Sequence, residues 1–237
     1  MPNINYEIII PAYNAGKFLQ QLLDQIKNLP LSYKPKRIRV IDDGSKDNTP
    51  NIALNNEVQL LSIPENKGKG FALKAGFKEF LETVDCDYVL CMDADLQHPV
   101  SSAIDFMHEI EKNSPMIVIG ARERKTENMP FLRILSNGLS SWILTKCTQK
   151  NIKDGQCGFR AIHKNVLNKV NLKEDGFQLE TEFILKAARA GFDFNFIKIP
   201  TIYNKSLSNI KHIGDTYKFI KLVLNDIRLR YDRKRQN

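Results

Sequence analysis

Two aspartates separated by a single residue, Asp93 and Asp95, are the clearest sign of chemistry in this 237-residue sequence. They follow an apolar run and precede a helical pattern that begins at Pro99. Two carboxylates at this spacing can direct oxygen atoms at one cation, and Mg²⁺ or Mn²⁺ prefers oxygen ligands that it shares with substrate phosphates. A structural explanation competes, in which one aspartate caps the following helix. The surroundings of the pair must decide between the two.

Polar or glycine-bearing segments follow each apolar run of the first 120 residues. These segments are Pro11–Asn14, Asp42–Ser45, Glu65–Gly70, Asp93–Pro99 and Gly120–Arg122. The apolar runs alternate with helical patterns, which is typical of βαβ units in a Rossmann-like, doubly wound, mostly parallel sheet. Ligands of such sheets bind at the carboxyl ends of the strands. The sequence therefore predicts an α/β fold in which all five segments share one rim.

The predicted elements follow this alternation up to residue 123. Strands are expected at Ile4–Ile10, Ile38–Ile41, Val58–Ile63, Tyr88–Met92 and Met116–Ile119, and helices over residues 17–28, 48–55, 70–82 and 100–112. The later elements are a helical apolar stretch over 130–149, a turn from Asp154 into a strand, a helix around Glu180–Ala190, a strand Phe194–Ile199 and a last helix over about 213–231. We predict one domain over 1–212 and a basic amphipathic helix with a tail over 213–237.

Composition and charge narrow the classes of protein. A hydrophobic fraction of 42% and a charged fraction of 26% indicate a globular chain, and four scattered cysteines indicate neither zinc nor disulfides. With no apolar run of about 20 residues and no signal-like start, a cytoplasmic location is expected. Residues 205–237 hold nine basic and three acidic side chains, so most of the net charge of +8 lies there. Such a segment is either a solvated tail or a contact with an anionic partner.

Five stretches resemble the motifs of glycosyltransferase family 2, and within it the branch of dolichyl-phosphate mannose synthase and related polyprenyl-phosphate glycosyltransferases. They are Ile8–Asn14, Val40–Thr49, Asn66–Gly70, Met92–Pro99 and Gly158–Arg160, in the expected order. The resemblance covers residues 4–160. It implies a GT-A fold and an inverting transfer of sugar from a GDP- or UDP-linked donor, with Mg²⁺ or Mn²⁺ as cofactor.

The resemblance also implies roles for single residues. Its donor-binding positions are Pro11, Tyr13, Asn14, Asp43, Lys69, Asp93, Ala94, Gln97, Arg122 and Lys205. Asp93, Asp95 and Gln97 match the metal and diphosphate positions, and Asp95 and Arg122 are expected to act in catalysis. By residue type, Tyr13 can stack on a base, Asp43 can accept hydrogen bonds from base or ribose, and Arg122 can grip phosphate. The alternatives are a half-buried packing tyrosine at position 13 and a turn-stabilising aspartate at 43, the latter compatible with binding.

Glu180 and Glu182 are two residues apart in one predicted helix. Glu180 matches an acid that serves as general base in family members that glycosylate hydroxyl groups. A phosphate acceptor is already anionic and needs no base, so Glu180 would then only position groups. The competing interpretation treats both as ordinary solvated helix carboxylates.

The sequence departs from the family at two places. The acid that often follows Tyr-Asn is Ala15 here, and the late Arg…Gly-x-Ser-Lys loop is represented only by Lys205–Ser208 and Lys211. Either lysine is a candidate for the cation that neutralises the phosphates. These departures leave the identity of the donor open.

The expected acceptor is a polyprenyl phosphate, with a glycan or protein hydroxyl as the alternative. The apolar stretch 130–149 and the basic helix 213–231 are compatible with peripheral contact with an anionic membrane, although core packing and a solvated tail explain them equally. A nucleotidyltransferase would need a glycine- and arginine-rich first loop, which is lacking. No helix-turn-helix, RNP strand or zinc spacing indicates a nucleic-acid partner. A haloacid-dehalogenase-like phosphatase would carry its Asp-x-Asp on the first strand.

Overall fold

A computed structural model of the protein describes residues 4–82, 85–123, 131–202 and 212–236, and a seven-stranded sheet organises them. The strands are β1 (Tyr6–Ala12), β2 (Arg37–Asp43), β3 (Gln59–Ile63), β4 (Tyr88–Cys91), β5 (Ile117–Arg122), β6 (Arg160–His163) and β7 (Asn195–Ile199). Their order is β3-β2-β1-β4-β6-β5-β7. Neighbours pair in parallel except β6, which is antiparallel to both β4 and β5. The mostly parallel α/β sheet is confirmed.

Eight α-helices and one short 3₁₀ turn (Leu31–Tyr33) accompany the sheet in the described residues. The helices are α1 (Gly16–Lys27), α2 (Thr49–Asn55), α3 (Lys69–Glu82), α4 (Ser102–Asn113), α5 (Phe131–Thr148), α6 (Lys164–Lys169), α7 (Leu179–Arg189) and α8 (His212–Gln236). All but α6 were predicted within a few residues. The short α6 gave no periodic signal, and His163 caps it by accepting a hydrogen bond from the Asn165 amide.

Three strands, β1, β2 and β5, extend further toward the rim than their apolar runs predicted, whereas β3 and β7 end as predicted and β4 ends one residue earlier. β1 continues through Pro11 and Ala12, which pair with Ile41 and Asp42 of β2. These residues belong to the strand because β2 pairs with them in register. The aspartates of Asp42–Ser45 and the residues Gly120–Arg122 are likewise the last residues of β2 and β5 rather than loop residues.

The core lies on both faces of the central strands. Ile8, Ile9 and Ile10 of β1 are fully buried, which explains why this strand reads as a continuous apolar run without alternation. Helix α1 contributes Leu19, Leu22, Leu23 and Ile26, whose spacing of three and four residues places them on one face. The sheet is thus covered on both sides, and its edge at the strand carboxyl ends remains available for a site.

The antiparallel strand β6 matters for function because it reverses the local direction of the chain. Its first residue, Arg160, pairs with Cys91 near the end of β4 and with Ile119 of β5. The turn before β6 therefore lies at the same rim as the carboxyl ends of the parallel strands. Gly158 is brought next to the aspartates after β4 in this way.

Helix α8 packs on α7, with an ion pair between Asp226 and Arg189, and Val223 of α8 is buried. Its other face leaves Tyr217, Ile220, Leu224 and Ile227 exposed. None of the helices in the described residues has the length and apolar character needed to cross a membrane. The boundary predicted between residues 212 and 213 stays a prediction.

Candidate functional site

The loop after β4 forms the centre of the candidate site. Asp93 and Asp95 are both half-buried, and Gln97 is as well. Leu96 has a φ of 59°, and the amide of Gln97 donates a hydrogen bond of 3.0 Å to Oδ1 of Asp95. This tight turn keeps both carboxylates at the rim, two residues apart. The competing prediction that one aspartate caps the next helix finds no support, because Ser101 occupies the N-cap of α4.

Lys69, the first residue of α3, forms ion pairs with two residues for which the sequence predicted different roles, Asp93 in metal binding and Glu180 as the candidate base. Its Nζ lies 2.7 Å from Oδ1 of Asp93 and 2.8 Å from Oε1 of Glu180 in α7. The Lys69 side chain is only 15% exposed and that of Glu180 6%, so both ion pairs are shielded from water. One ammonium group thus bridges the metal-type aspartate and the candidate base.

The electrostatics of the two aspartates differ. Burial, and then the charge of Asp93, raise the pKa of Asp95 to about 6. For Asp93 burial acts in the same direction, but Lys69, followed by His98, outweighs it and lowers the pKa. Burial lowers the pKa of Lys69, yet Asp93 and Glu180 together raise it well above its usual value. The cluster holds more negative than positive charge at ion-pair distance, so a further cation would relieve it.

The residues present fit a cation that is shared with a ligand. In the described residues no group of three or more His, Cys, Asp or Glu side chains converges as a metal centre. Asp93 and Asp95 would supply carboxylate oxygens and Gln97 an amide oxygen, and the remaining positions would fall to water or to a phosphate ligand. Mg²⁺ in particular retains waters and uses one or two carboxylates with substrate phosphates.

Glu180 and Glu182 have different environments, although they are two residues apart. Both are buried, at 5% and 3% exposure, so the interpretation as solvated helix carboxylates is wrong. Glu182 accepts hydrogen bonds from the amides of Lys173 and Glu174 and pairs with Lys186, which fixes the segment before α7. Glu180 uses Oε1 for Lys69, and its Oε2 is buried without a partner. Of these two glutamates, only Glu180 has a carboxylate oxygen without a hydrogen-bond partner.

Gly158, in the turn before β6, and Arg160, the first residue of β6, lie next to the cluster of Lys69, Asp93 and Glu180. A Cβ at position 158 would lie 2.8 Å from Oδ2 of Asp93 and 2.9 Å from Nζ of Lys69, so a larger residue would have to displace the ion pair. The Arg160 guanidinium donates to the carbonyl oxygens of Cys157, Gly155 and Glu180. It ties the turn before β6 to the start of α7. The sequence showed these residues only as a motif, because their function lies in contacts with distant segments.

Asp43 stabilises the loop that leads to Lys69. Its Oδ1 accepts a hydrogen bond of 2.9 Å from the Lys67 amide, and its Oδ2 one of 2.7 Å from the Gly68 amide. Gly68 has a φ of 102°, in the region that favours glycine, and a Cβ there would lie 2.5 Å from the Asp175 carbonyl oxygen. Each carboxylate oxygen of Asp43 retains a second lone pair for a ligand. The expected contact of Asp43 with base or ribose stays a prediction.

The segments after β1 and β2 interlock. Asn14, with a φ of 49°, accepts a hydrogen bond from the Lys46 amide, and its own amide donates to Oγ of Ser45. Tyr13 is 48% exposed, which fits the alternative of a half-buried packing tyrosine as well as a ring that stacks on a base. Pro11 is buried within β1, so any contact with a nucleotide would involve the strand end rather than a loop.

Arg122 is paired with a residue that the sequence had marked only as the start of a turn. Its Nε and Nη2 donate to the two carboxylate oxygens of Asp154, at 2.8 and 3.0 Å. Burial raises the pKa of Asp154, but Arg122 has the greater effect and lowers it. The planar fork that was expected to grip phosphate is therefore occupied by Asp154. A phosphate contact of Arg122 would use its remaining guanidinium edge.

The remaining expected positions are easily placed. Ala94 is buried between the two aspartates. His98 is buried beside Cys157, with 3.6 Å between Nε2 and Sγ, and burial lowers its pKa to about 4, so the imidazole is neutral. Lys205 and Lys211, the candidates for a phosphate-neutralising cation, lie outside the described residues.

Comparison with known proteins shows which family this chain resembles. The profile of glycosyl transferase family 2 matches residues 7–171. A dolichyl-phosphate beta-glucosyltransferase of Dictyostelium discoideum is 33% identical over 196 residues, covering 71% of this chain and 57% of that protein. A dolichol-phosphate mannosyltransferase of Pyrococcus furiosus is 35% identical over 192 residues, with coverages of 76% and 52%. The chain spans about half the length of these two relatives.

A third relative is similar over most of its length. The UDP-N-acetylglucosamine–dolichyl-phosphate N-acetylglucosaminyltransferase of Methanococcus voltae is 27% identical over 220 residues, covering 84% of this chain and 86% of that protein.

Among solved structures, glucosyl-3-phosphoglycerate synthase of Mycobacterium tuberculosis superposes with a TM-score of 0.73 at 17% identity, covering 94% of this chain and 80% of that one. A structure of that enzyme with Mn²⁺, UDP and phosphoglyceric acid gives a TM-score of 0.70 at 18% identity, with coverages of 94% and 78%. At this identity the likeness concerns the fold, which is GT-A as predicted. The family profile covers residues 7–171, from β1 to just past α6, which is more than half of the chain. The chain therefore belongs to glycosyl transferase family 2.

Proposed function

We propose that this chain is a metal-dependent, inverting glycosyltransferase that moves a sugar from a GDP- or UDP-sugar to a polyprenyl phosphate. The observation that carries the proposal is the cluster of Asp93, Asp95 and Glu180 around the single ammonium of Lys69 at the rim of the sheet. Family membership and the relatives' names, which include dolichyl-phosphate acceptors, support it.

We assign different residues of the rim to the donor and to the acceptor. Asp93, Asp95 and Gln97 would hold Mg²⁺ or Mn²⁺, which when bound neutralises charge growing on the leaving nucleoside diphosphate. The exposed ring of Tyr13 offers a stacking face for the base. Arg122, oriented by Asp154, adds positive charge from β5. Inversion follows if the acceptor oxygen attacks the anomeric carbon from the side opposite the leaving group.

In this proposal Glu180 acts on the acceptor. With a phosphate acceptor its carboxylate would position the attacking group without removing a proton. Its free Oε2 also favours a second candidate function, transfer to a glycan or protein hydroxyl, in which Glu180 takes the proton of the acceptor. Product formation from polyprenyl phosphate, measured beside a sugar hydroxyl acceptor, separates the two.

Substitution of Asp95 tests the metal-dependent reaction. The protein should be assayed with a panel of GDP- and UDP-sugars, Mg²⁺ or Mn²⁺, and dolichyl or undecaprenyl phosphate. Asp95→Ala should abolish transfer while the melting temperature stays within a few degrees, because a half-buried carboxylate at the rim contributes little to the core. Asp193→Ala, which removes a 77% exposed carboxylate in a surface ion pair, is the matched control. Metal-dependent turnover by Asp95→Ala would refute the assignment.

Two exposed apolar stripes support the peripheral membrane contact included in this proposal. Leu135, Leu139 and Trp142 of α5 are 56–59% exposed and lie three and four residues apart. A second stripe on α8 consists of Tyr217, Ile220, Leu224 and Ile227, flanked by exposed Lys218, Lys221 and Arg228. Apolar faces next to basic side chains are typical of helices that lie in an anionic lipid interface.

Liposome flotation tests this contact at the cytoplasmic face. The protein should float with vesicles that contain anionic phospholipid, and the double variant Leu139→Glu with Trp142→Glu should remain at the bottom of the gradient. Leu54→Glu, at a 61% exposed leucine of α2, is the control. Equal flotation of all three proteins would contradict the role of α5.

A further inference from the structure

We propose that Lys69 is a built-in cation that competes with the divalent metal for Asp93, so that the metal is bound strongly only together with the donor diphosphate. This inference rests on the metal-dependent function proposed above. It makes Lys69 a positioning residue that sets the order in which metal and donor are retained, in addition to its expected donor contact.

The first observation is the occupation of Asp93. Oδ1 of Asp93 is ion-paired with Nζ of Lys69 at 2.7 Å, and Gly158 lies so close that an added Cβ would be 2.9 Å from Oδ1 and 2.8 Å from Oδ2. A divalent cation bound to this carboxylate would meet a positive charge at nearly contact distance. Two like charges a few ångströms apart in a partly buried site repel strongly. The metal and the paired ammonium therefore compete for one ligand.

The second observation is the incompleteness of the metal site. Within the described ranges no third His, Cys, Asp or Glu side chain joins Asp93 and Asp95 in a metal-binding group. Oδ1 of Asp95 is also engaged by the Gln97 amide. A cation held only by these groups lacks the oxygen atoms that a diphosphate would provide. The described residues by themselves thus offer few metal ligands, and a diphosphate would supply further oxygen atoms.

The third observation concerns the release of Lys69. Its ammonium touches Asp93 and Glu180 at once, and Arg160 provides Glu180 with a second nearby positive charge. Lys69 is the first residue of α3 and lies beside Asp93 at the rim, whereas the Phe71 amide of the same helix turn already donates to the Asp175 carbonyl oxygen. A diphosphate bound there gives the ammonium a new partner. The movement of Lys69 toward phosphate would free Asp93 for the metal and Oε1 of Glu180 for the acceptor.

The test measures Mn²⁺ binding without turnover. Free Mn²⁺ is followed by electron paramagnetic resonance at pH 8, first with Mn²⁺ alone and then with saturating UDP or GDP. Without nucleotide, Lys69→Met should bind Mn²⁺ about tenfold or more tightly than the wild type, because the competing charge is gone. Lys69→Arg, which keeps the charge, should bind as weakly as the wild type. With nucleotide the advantage of Lys69→Met should shrink or reverse.

Matched variants keep the result interpretable. Lys78→Met removes a 77% exposed lysine from the same helix and should leave Mn²⁺ binding and activity unchanged. Lys69→Gln retains hydrogen-bond donors without the charge and replaces Lys69→Met if the latter does not fold. Mn²⁺ binding by the uncharged variants that equals or falls below the wild-type value overturns the inference. If no variant binds Mn²⁺ even with UDP or GDP, the metal dependence of the proposed function fails as well.

Discussion

The two edges of the sheet both bury charge, but they do so with different balance. At the amino edge three cations meet three anions: Lys36, Arg37 and Arg39 pair with Glu7, Glu79 and Asp85. At the carboxyl edge Arg122 is paired with Asp154, but the carboxylates of Asp93 and Glu180 share the ammonium of Lys69, and Asp95 adds a further negative charge.

The two clusters also differ in whether their buried carboxylate oxygens have hydrogen-bond partners. Glu7 is fully buried, and its two oxygens accept from Arg39 at 2.6 Å and from Arg37 at 3.0 Å. Glu180 is nearly as buried but leaves Oε2 without a partner. A satisfied cluster serves the fold, whereas an unbalanced one is the kind that ligand binding completes. Substitutions at the two edges should therefore separate stability from activity.

The largest expected effect is at the amino edge and concerns stability. Glu7→Gln would leave Arg39, whose side chain is 8% exposed, without its main carboxylate partner. The free energy of unfolding should fall by about 3 kcal/mol or more, because a buried charge loses its compensation. Urea denaturation measures this, and the transfer rate per folded molecule should not change. Glu82→Gln, in an exposed pair with Lys78, should cost less than about 1 kcal/mol.

The distinction between the edges would be contradicted if Glu7→Gln lowered the transfer rate while its free energy of unfolding stayed at the wild-type value.

The next effect separates Glu180 from Glu182. Glu180→Gln should reduce transfer about 100-fold with a hydroxyl acceptor, where a base is needed. With a phosphate acceptor the loss should be nearer tenfold, because only positioning is removed. Glu182→Gln should instead lower the free energy of unfolding by about 1–3 kcal/mol, since the amides of Lys173 and Glu174 lose a carboxylate acceptor. Steady-state kinetics and denaturation on both variants check the pair.

If Glu182→Gln lost activity as strongly as Glu180→Gln while remaining equally stable, the assignment of separate roles would be wrong.

The smallest effect sharpens the role of the turn before β6. Gly158→Ala would place a methyl group 2.8 Å from Oδ2 of Asp93 and displace the ion pair with Lys69. Transfer should fall about tenfold, as expected for a small misplacement of site groups, while the melting temperature changes little. Gly214→Ala, at a helix position where no atom lies within 4 Å of the added Cβ, should leave activity unchanged and stabilise α8 slightly. Full activity of Gly158→Ala would show that the close approach has no functional consequence.

Much of the fold could be predicted from the sequence because its determinants are local. The central strands are apolar along their length, the helices show three- and four-residue spacing, and parallel strands must end at one edge. The sequence alone therefore predicts that Asp93, Asp43 and Arg122 lie near one another. Strand ends were less predictable, since Pro11 and Asp42 join the ladder only because a neighbouring strand pairs with them.

The sequence by itself thus determined the α/β alternation, the rim and the residue types that suit a cation and a diphosphate. Only the tertiary structure decided which of these residues touch. The antiparallel insertion of β6, the pairing of Arg122 with Asp154, and the contact of Lys69 with both Asp93 and Glu180 join segments far apart in the chain. Local periodicity specifies the face of an element, but not the distance to a side chain on another element. That distance depends on how the whole core packs.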